Sequence, residues 1–212
     1  MPIGMTLPEH RRYVGRRVAA IAAARGQDWL DTILDLLAAE GQPIGTIPFQ
    51  LGEENLALRL QQPWVQVSTD TSGVDPTRAA AQGPVHPRGD GTYPRVLGKY
   101  LREDGVIPLE DAVRTMTSAV ADRLGLRDRG RLAVGAHADV VVLDPATVAH
   151  RATFTDPHQH SVGVRDVWVN GTRALRDGIT LAAATGLPRR GRRRLQSESN
   201  RCTVLALSHP RS

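Results

Sequence analysis

Residues 65–70 read VQVSTD, a short apolar run that ends on the carboxylate of Asp70. Residues 86–98 read HPRGDGTYPRVLG and bring an imidazole at His86 and a guanidinium at Arg88. In barrels of alternating strands and helices, the side chains at the carboxyl ends of the strands face the active site. A carboxylate that directly follows a strand is therefore a candidate catalytic residue.

The chain before this run alternates predicted helices and strands. The helical spacing of apolar residues and an N-cap at Asp28 predict helices over residues 14–24 and 28–39. The apolar face expected for the second helix consists of Leu30, Ile33, Leu34 and Leu37. The elements predicted next are a strand over residues 44–49, a helix over 53–60 and a strand over 64–68. This alternation is typical of parallel α/β units.

The later part of the chain changes from helical to β-rich. Residues 69–92 are rich in Gly, Pro and Asp and lack periodicity, which predicts a long loop that is either functional or disordered. Further helices are predicted over residues 94–102 and 109–116, and Gly125 ends another. Strands are predicted over residues 138–143, 164–169 and 172–176, with a hairpin turn at Asn170-Gly171. Residues 195–212 show no such pattern.

The composition indicates a soluble, globular, cytoplasmic protein. Of the 212 residues, 41% are hydrophobic and 23% are charged. No apolar run approaches the length of a membrane span, about 18 residues, and the start of the chain has no signal-peptide stretch. The single cysteine, Cys202, excludes a disulfide framework and fits a reducing compartment. We do not expect Cys202 to act as a nucleophile.

The positive charge is concentrated at the end of the chain. The formal net charge is +5, but the residues after 188 hold seven arginines and one acid, so the rest of the chain sums to −1. Such a tail could bind phosphates non-specifically. Neither a basic face nor an aromatic platform accompanies it, since 4% of the residues are aromatic. We therefore do not expect a nucleic-acid partner, although a phosphate-binding tail is kept as an alternative function.

The histidines do not form a recognisable metal site. His158 and His160 have the spacing of a zinc-binding pair, but they lie in a turn of the β-rich region. A zinc site needs at least three protein ligands, so we interpret this pair as a surface loop. The other histidines outside the quoted stretch are isolated: His10, His137, His150 and His209. Asp139 is expected to be structural.

Together these residues resemble the C-terminal part of the N-acyl-D-amino-acid deacylases (D-aminoacylases) of the metal-dependent amidohydrolase superfamily. Residues 86–98 are similar to that family's motif after the barrel. Residues 126–144 and 167–171 are similar to the tail motif of the wider superfamily. The similarity runs from about Tyr13 to about Gly191.

The resemblance implies an α/β fold made of the last βα units of a (β/α)8 barrel, followed by part of a small β-sandwich. The implied domains are residues 1–125 for the incomplete barrel and the following helices, 126–188 for the β-rich domain, and 189–212 for a basic, disordered tail. A complete barrel takes about 250 residues, and only roughly the first 100 here can belong to one. The resemblance therefore implies a chain shortened at its N-terminus, with a partner that completes the barrel as one option.

The resemblance also implies roles for two site residues. Asp70 would be the catalytic aspartate beside one or two zinc ions, and Arg88 would hold the carboxylate of the substrate. A free α-carboxylate suits the bidentate guanidinium of arginine. The family has a glycine beside this aspartate, whereas Thr69 and Thr71 flank it here. The alternative interpretation is that Asp70 is a cap or turn residue and that His86 and Arg88 stabilise a polar loop.

Amide hydrolysis explains why the family uses zinc. The ion lowers the pKa of its bound water to about 7 and polarises the carbonyl. A nearby carboxylate, here Asp70, accepts the proton of the water and passes it to the leaving nitrogen. The metal ligands of the family have no counterparts before Asp70, where His10 is the only histidine. No metal ligand is therefore assigned, and we do not expect this chain alone to bind zinc.

The function implied by the resemblance is hydrolysis of carbon–nitrogen bonds other than peptide bonds. It would be the zinc-dependent deacylation of N-acyl-D-amino acids by an N-terminally shortened chain. Three alternatives stay open. The chain could be an inactive remnant, the C-terminal partner subunit of a split amidohydrolase, or another amidohydrolase such as a cyclic-amide hydrolase.

Overall fold

The structure of the protein is a computed structural model that describes residues 1–2, 4–71 and 85–181 and the backbone of residues 204–207. The described residues form two compact units. The first consists of Met1–Leu51, 85–87 and Thr153–His158, and the second of 52–71, Arg88–Ala152, 159–181 and 204–207. Predictions that fall on residues 72–84, on Cys202 and His209, and on the tail arginines lie outside the described residues.

The described residues of the first unit form a 3₁₀ helix, Pro8–Tyr13, and two α-helices, α1 (Val18–Arg25) and α2 (Trp29–Glu40). Gly26 and Gly41 end α1 and α2 with φ of 65° and 64°, a left-handed conformation that glycine adopts without strain. Asp28 begins α2, because its side chain accepts a hydrogen bond from the N–H of Leu30. Both predicted helices and the predicted N-cap are confirmed.

The core of the first unit lies on a different side of α2 from the one predicted. Leu36 is buried together with Ile21 of α1 and with Met5 and Tyr13. The predicted face is largely exposed, with exposed fractions of 48% for Leu30, 56% for Leu34 and 39% for Leu37. The apolar spacing therefore identified the helix, but not the side of it that is buried.

The prediction of a strand over residues 44–49 is wrong. Thr46 pairs with Pro2 in a single antiparallel bridge, and the N–H of Ile47 donates to the carbonyl of Met1. Prolines on both sides of the bridge, Pro43 and Pro48, have no N–H with which to extend a ladder. Among the described residues, the segment therefore pairs with the N-terminus through this one bridge.

The α-helices of the second unit are α3 (Glu53–Leu60), α4 (Arg88–Arg95), α5 (Leu109–Met116) and α6 (Ser118–Leu124). The predictions for α3, for α5 and for the end of α6 at Gly125 are confirmed. The helix predicted over residues 94–102 begins earlier, at Arg88, and continues as a π-helix, Val96–Glu103. Pro94 lies inside α4 and has no N–H to donate to the preceding turn, and the wider π turn follows directly after it.

Gly98 lets the π-helix approach the chain near Val148 closely. A Cβ added to Gly98 would lie 2.7 Å from the carbonyl oxygen of Val148, so glycine is the residue that fits there. The buried core of the second unit contains Val67, Val96, Leu97, Tyr100, Ile107, Ala112, Met116, Val141, Leu143 and Val148. This core joins the π-helix, α5 and the first strand of the sheet.

The stretch before Asp70 is not a strand. Val67 is buried in the core of the second unit, and its N–H donates to the carbonyl of Thr115 at 3.1 Å. Within residues 1–2, 4–71, 85–181 and 204–207, no neighbouring strand forms a ladder with residues 64–68. The prediction of a strand there is therefore wrong, since a strand exists only where a second one pairs with it.

The second unit carries a five-stranded sheet in the order β4-β3-β2-β1-β5. Its strands are β1 (Val140–Leu143), β2 (Val164–Val169), β3 (Thr172–Arg176), β4 (Ile179–Thr180) and β5 (Val204–Leu207). Strands β1 to β4 pair antiparallel, and β5 runs parallel to β1. The predictions of β1, β2, β3 and the Asn170-Gly171 turn are confirmed, and the turn residues have φ of 52° and 78°. Strands β4 and β5 were not predicted from the sequence, although Asp177-Gly178 before β4 is a hairpin signal.

The architecture of the described residues is α/β, as predicted, with helices in both units and a mostly antiparallel sheet in the second. None of the described helices combines the length and the apolar character that a membrane span requires.

Candidate functional site

Asp70 and Arg88, the two predicted site residues, lie next to each other in the second unit. Nη2 of Arg88 is 2.9 Å from Oδ2 of Asp70. Both side chains are accessible, with exposed fractions of 83% for Asp70 and 45% for Arg88. The fold therefore presents a carboxylate and a guanidinium together to solvent.

A turn of the backbone presents Asp70. Its φ of 46° lies in the left-handed region, which aspartate tolerates better than most residues. The N–H of Asp70 donates to Oγ of Ser68 at 3.3 Å. The positive φ falls on Asp70 itself and not on Thr69 or Thr71, the residues that replace the glycine of the family pattern.

Arg88 reaches Asp70 because it begins helix α4. The hydroxyl of Thr92 donates to the carbonyl of Arg88 at 2.7 Å and stabilises this first turn. A Cβ added to Gly89 would lie 3.4 Å from Cγ2 of Thr71. The start of α4 therefore packs against the residue that directly follows Asp70.

A second polar cluster, the Glu53 network, lies at the other end of α4 and consists of Glu53, Arg95, Tyr100 and His150. Nη2 of Arg95 donates to Oε1 of Glu53 at 2.7 Å, and the hydroxyl of Tyr100 donates to Oε2 of Glu53 at 2.7 Å. Nη1 of Arg95 is 3.1 Å from Nε2 of His150. The network joins α3, α4 and the π-helix to His150. It therefore holds α4, the helix that carries Arg88.

The pKa values of Glu53 and His150 in the Glu53 network are both lowered. The hydrogen bond from Tyr100 and the charge of Arg95, opposed by burial, lower the pKa of Glu53. Burial, with a smaller contribution from the charge of Arg95, lowers the pKa of His150. The network therefore favours an ionised glutamate and a neutral imidazole. Sequence reasoning missed it, although Arg95 stands in the quoted residues 86–98.

The other predicted histidines have structural surroundings. The ring of His86 lies 5.2 Å from that of Phe154 in an edge-on arrangement, and Phe154 lies 4.8 Å from Phe49, all within the first unit. This contact favours the loop-stabilising interpretation of His86. His158 is half-buried and His160 is exposed, and both lie in irregular chain, as a surface loop requires.

The residues near Asp70 do not fit a zinc site. In the parts of the chain that the structure describes, no group of three His, Cys, Asp or Glu side chains could hold a metal ion. Oδ2 of Asp70 is paired with Arg88, and zinc needs at least three protein ligands. The described residues therefore supply a possible proton acceptor and an anion-binding group, but no cage for a cation.

The comparison with known protein families decides the family of this chain. A model of the amidohydrolase family matches residues 19–174. The chain is an amidohydrolase-family member. The resemblance inferred from the motifs is confirmed by a curated relative, the D-aminoacylase of Alcaligenes xylosoxydans xylosoxydans. It is 41% identical over 157 residues, which are 74% of this chain and 30% of that enzyme.

Solved structures of related amidohydrolases superpose on this amidohydrolase chain. A D-aminoacylase whose binuclear metal centre has been studied superposes with a TM-score of 0.73 and 36% identity, over 87% of this chain and 36% of that one. The N-acyl-D-glutamate deacylase of Bordetella bronchiseptica, in complex with zinc and a phosphonate inhibitor, superposes with a TM-score of 0.68 and 38% identity over 81% of this chain and 34% of that one. The chain thus spans about a third of the length of the relatives it matches.

The amidohydrolase tail motif serves the structure of the β-rich region. Asp139 is 2% exposed, accepts the N–H of Asn170 at 2.7 Å and is paired with Arg129. It therefore holds the hairpin turn after β2 against the segment before β1. Asp166 in β2 is 1% exposed and is paired with Arg165 and Arg173. Burial opposes ionisation of Asp166, but its hydrogen bonds with the two arginines outweigh burial and lower its pKa.

Three of the histidines that are isolated in the sequence have partners in space, and one of them is His137, whose Nε2 lies 3.4 Å from Oδ2 of Asp128. His150 belongs to the Glu53 network, and Nδ1 of His10 lies 2.8 Å from Oε1 of Glu40. The Glu40 side chain is fully buried and also accepts hydrogen bonds from the N–H and hydroxyl of Thr6 at 2.9 and 2.6 Å. The hydrogen bonds from Thr6, opposed by burial and supported by those from His10 and Leu7, lower the pKa of Glu40 to about 2. This cluster anchors the N-terminal segment to α2.

Proposed function

We propose that the chain contributes to the deacylation of N-acyl-D-amino acids by supplying the catalytic carboxylate and the carboxylate-binding arginine of the active site. The observation that carries this proposal is the 2.9 Å contact between Arg88 and Asp70. Asp70 is proposed as the base and Arg88 as the group that binds the α-carboxylate. Deacylation of an N-acyl amino acid requires the two groups to be neighbours. In an N-acyl amino acid, the scissile amide and the α-carboxylate share one carbon atom.

Each side chain has a defined task in this proposal. The guanidinium of Arg88 binds the α-carboxylate of the substrate through two parallel hydrogen bonds, which places the amide carbonyl near Asp70. The carboxylate of Asp70 accepts a proton from the attacking water and later gives it to the leaving nitrogen. The exposure of both groups, 83% and 45% of their side chains, leaves space for a substrate.

The metal of the reaction would be held by polypeptide beyond these 212 residues. The described residues do not make a zinc site, whereas the deacylase of Bordetella bronchiseptica is in complex with zinc. In this proposal residues 1–125 correspond to the C-terminal part of the barrel of the relatives and the helices that follow it, although their described residues form helices and a single bridge rather than paired strands. Residues 126–188 correspond to part of a sandwich domain and residues 189–212 to a basic tail. In this proposal the protein is cytoplasmic, because a chain with a single cysteine fits a reducing compartment.

The exposed face of α2 is where we place the contact with the polypeptide that completes the amidohydrolase fold. Leu30, Leu34 and Leu37 recur at helical spacing on one side of α2, and their exposed fractions are 48%, 56% and 39%. A helix with apolar residues on two sides needs a neighbour on each, and among the described residues Ile21 of α1 packs with Leu36 of α2 in the buried core. The relatives are about three times as long as the matched region, so they contain the additional chain that such a neighbour requires.

A chimera tests the proposed function. Residues of this chain replace the matched 157-residue region of the Alcaligenes D-aminoacylase, and the product is assayed with zinc and with the N-acetyl derivatives of D-leucine, D-glutamate and L-leucine. We expect zinc-dependent release of the free D-amino acid. Asp70→Asn is expected to lower kcat by about 100-fold or more, the range of a lost general acid–base group. Arg88→Gln is expected mainly to raise KM.

Two results would contradict the proposal. One is a folded, zinc-loaded chimera that does not hydrolyse any of the three substrates, which favours an inactive remnant. The other is an Asp70→Asn chimera as active as its parent, which would assign the proton transfer elsewhere. The face of α2 is tested in the same chimera by Leu34→Ser, which we expect to impair folding, against Val134→Ser at another fully exposed apolar position.

A further inference from the structure

In the structure, the guanidinium of Arg88, which would bind the carboxylate of the substrate, is paired with the carboxylate of Asp70. Nη2 of Arg88 is 2.9 Å from Oδ2 of Asp70, a distance typical of a charge-assisted hydrogen bond. The carboxylate that occupies Arg88 is the same group that must be free to accept a proton. One contact therefore engages both residues of the proposed site.

We propose that Asp70 acts as an internal competitor for Arg88 and is released as a base when the α-carboxylate of the substrate takes its place. This inference rests on the proposed function and adds a specificity rule to it. A substrate with a free carboxylate displaces Asp70 and makes it available. A neutral analogue, such as an N-acyl amino amide, leaves Asp70 paired with Arg88. Arg88 would then influence kcat as well as KM.

The exposure of the two side chains makes the exchange feasible. A buried ion pair that loses one partner leaves an uncompensated charge, which is strongly unfavourable. Here 83% of the Asp70 side chain and 45% of the Arg88 side chain are exposed, so water solvates Asp70 as soon as it is released. Exposed ion pairs are also weak. The competitor can therefore be displaced by a ligand present at millimolar concentration.

The exchange needs no movement of the helix. Arg88 is held at the start of α4 by the first turn of that helix and by the packing of Gly89 near Thr71. The mobile partner is the side chain of Asp70, which rotates away while the guanidinium stays in position for the incoming carboxylate.

An NMR titration of the full chain tests this inference without a metal. The Nε–Hε signal of Arg88 is followed at low ionic strength as N-acetyl-D-leucine is added. We expect Asp70→Asn to bind the ligand about two- to fivefold more tightly than the unchanged chain, since an exposed ion pair no longer competes. Asp70→Ser is a second variant with the same expectation. N-acetyl-D-leucinamide is expected to leave the signal unchanged. Arg88→Gln has no Nε–Hε signal, so its binding is followed through the backbone N–H of the neighbouring Gly89, and we expect it to be abolished.

The control is Glu54→Gln, which removes the same charge from an exposed side chain of α3. We expect this variant to bind as the unchanged chain does, which separates pairing with Arg88 from a general change in charge. If both Asp70 variants bind no more tightly than the control, Asp70 does not compete and the inference fails, while the proposed function stands. If neither the unchanged chain nor the Asp70 variants shift the Arg88 signal, the carboxylate-binding role of Arg88 fails and the inference fails with it.

Discussion

Asp139 and Asp70 are carboxylates of the second unit in opposite surroundings. Asp139 is 2% exposed and is satisfied by the N–H of Asn170 and by Arg129. The side chain of Asp70 is 83% exposed, and its ion pair is with Arg88 at the start of α4. Both face an arginine, so the presence of an ion pair does not distinguish them. The difference lies in what happens to each residue when its partner is removed.

Burial makes the partner of Asp139 obligatory, whereas exposure makes the partner of Asp70 exchangeable. A buried carboxylate that loses its hydrogen bonds cannot recover them from water. An exposed carboxylate can. Asp139 is therefore suited to hold a hairpin, and Asp70 is suited to exchange a partner or a proton. The predictions below test this distinction, beginning with the largest expected effect.

Removal of Asp139 is expected to be the most destabilising change. Asp139→Ala leaves the guanidinium of Arg129 buried without a carboxylate and leaves the N–H of Asn170 without its acceptor. We expect a loss of about 3 kcal/mol in the free energy of unfolding, the lower end of the range for a broken buried pair. Urea unfolding of the chain, followed by far-UV circular dichroism, measures this loss.

Asp144→Ala is the matched control for this experiment. Asp144 follows β1 directly and accepts a hydrogen bond from the hydroxyl of Thr147 at 2.8 Å, but it is exposed. We expect it to be much less destabilising than Asp139→Ala. Equal losses for the two variants would show that burial is not what makes Asp139 indispensable.

Elements that depend on interactions between residues close in sequence were predicted correctly, and elements that depend on distant residues were not. Asp28 and Gly41 at the ends of α2, and Asn170-Gly171 in the hairpin, act through their own backbone, so the sequence predicts them correctly. The strand expected before Asp70 depends on a pairing partner distant in sequence. In the described chain, the backbone of this stretch makes one hydrogen bond to a distant residue, from the N–H of Val67 to the carbonyl of Thr115, and one bond does not make a ladder. The buried side of α2 was mispredicted for the same reason, because α1 decides it.

The candidate site was predictable as far as the resemblance extended. Asp70 and Arg88 were chosen from motif positions, and they lie 2.9 Å apart. The Glu53 network was not found, because Glu53 and His150 are far from residues 86–98 in sequence and neither carries a local signal. Their proximity is visible only after α3, α4 and the π-helix have packed.

Glu40 provides a pH-dependent test of the buried carboxylates. Its pKa in the folded protein is about 2, below its ordinary value of 4.5. A carboxylate with a lowered folded pKa stabilises the protein above its unfolded pKa, and this contribution is lost as the pH falls through the folded value. We therefore expect the first unit to lose stability between pH 4.5 and about 2. Thermal unfolding measured across this interval tests the expectation.

The variant Glu40→Gln assigns this loss to one side chain. It is expected to be less stable than the unchanged chain at neutral pH and to approach it as the pH falls towards 2, where Glu40 itself becomes protonated. Glu9→Gln serves as the control, since Glu9 is exposed on the 3₁₀ helix. A constant difference between Glu40→Gln and the unchanged chain at every pH would contradict the prediction.

Tyr100→Phe is expected to have an intermediate effect, because Glu53 lies between the two extremes of exposure. The change removes the hydroxyl that donates to Oε2 of Glu53 at 2.7 Å and leaves Arg95 in place. We expect a loss of about 1 kcal/mol, the usual net value of one hydrogen bond. The pKa of Glu53 should rise towards its ordinary value, because Tyr100 makes the largest contribution to its lowering. A ¹³C NMR titration of the Glu53 carboxyl measures this change, and an unchanged pKa would show that the hydrogen bond from Tyr100 does not lower it.

Asp70→Asn is expected to have the smallest effect on stability. The amide keeps the size of the side chain and removes only an exposed ion pair with Arg88, so we expect a change of less than about 1 kcal/mol in the free energy of unfolding. The same urea titration as for Asp139→Ala measures it, and added salt should reduce the difference further because exposed charges are screened. A loss as large as that for Asp139 would mean that the side chain of Asp70 stabilises its own turn by pairing with Arg88. A residue with that role could not leave Arg88 to serve as a base. A negligible loss, combined with tighter carboxylate binding by the same variant, would separate function from stability at this position.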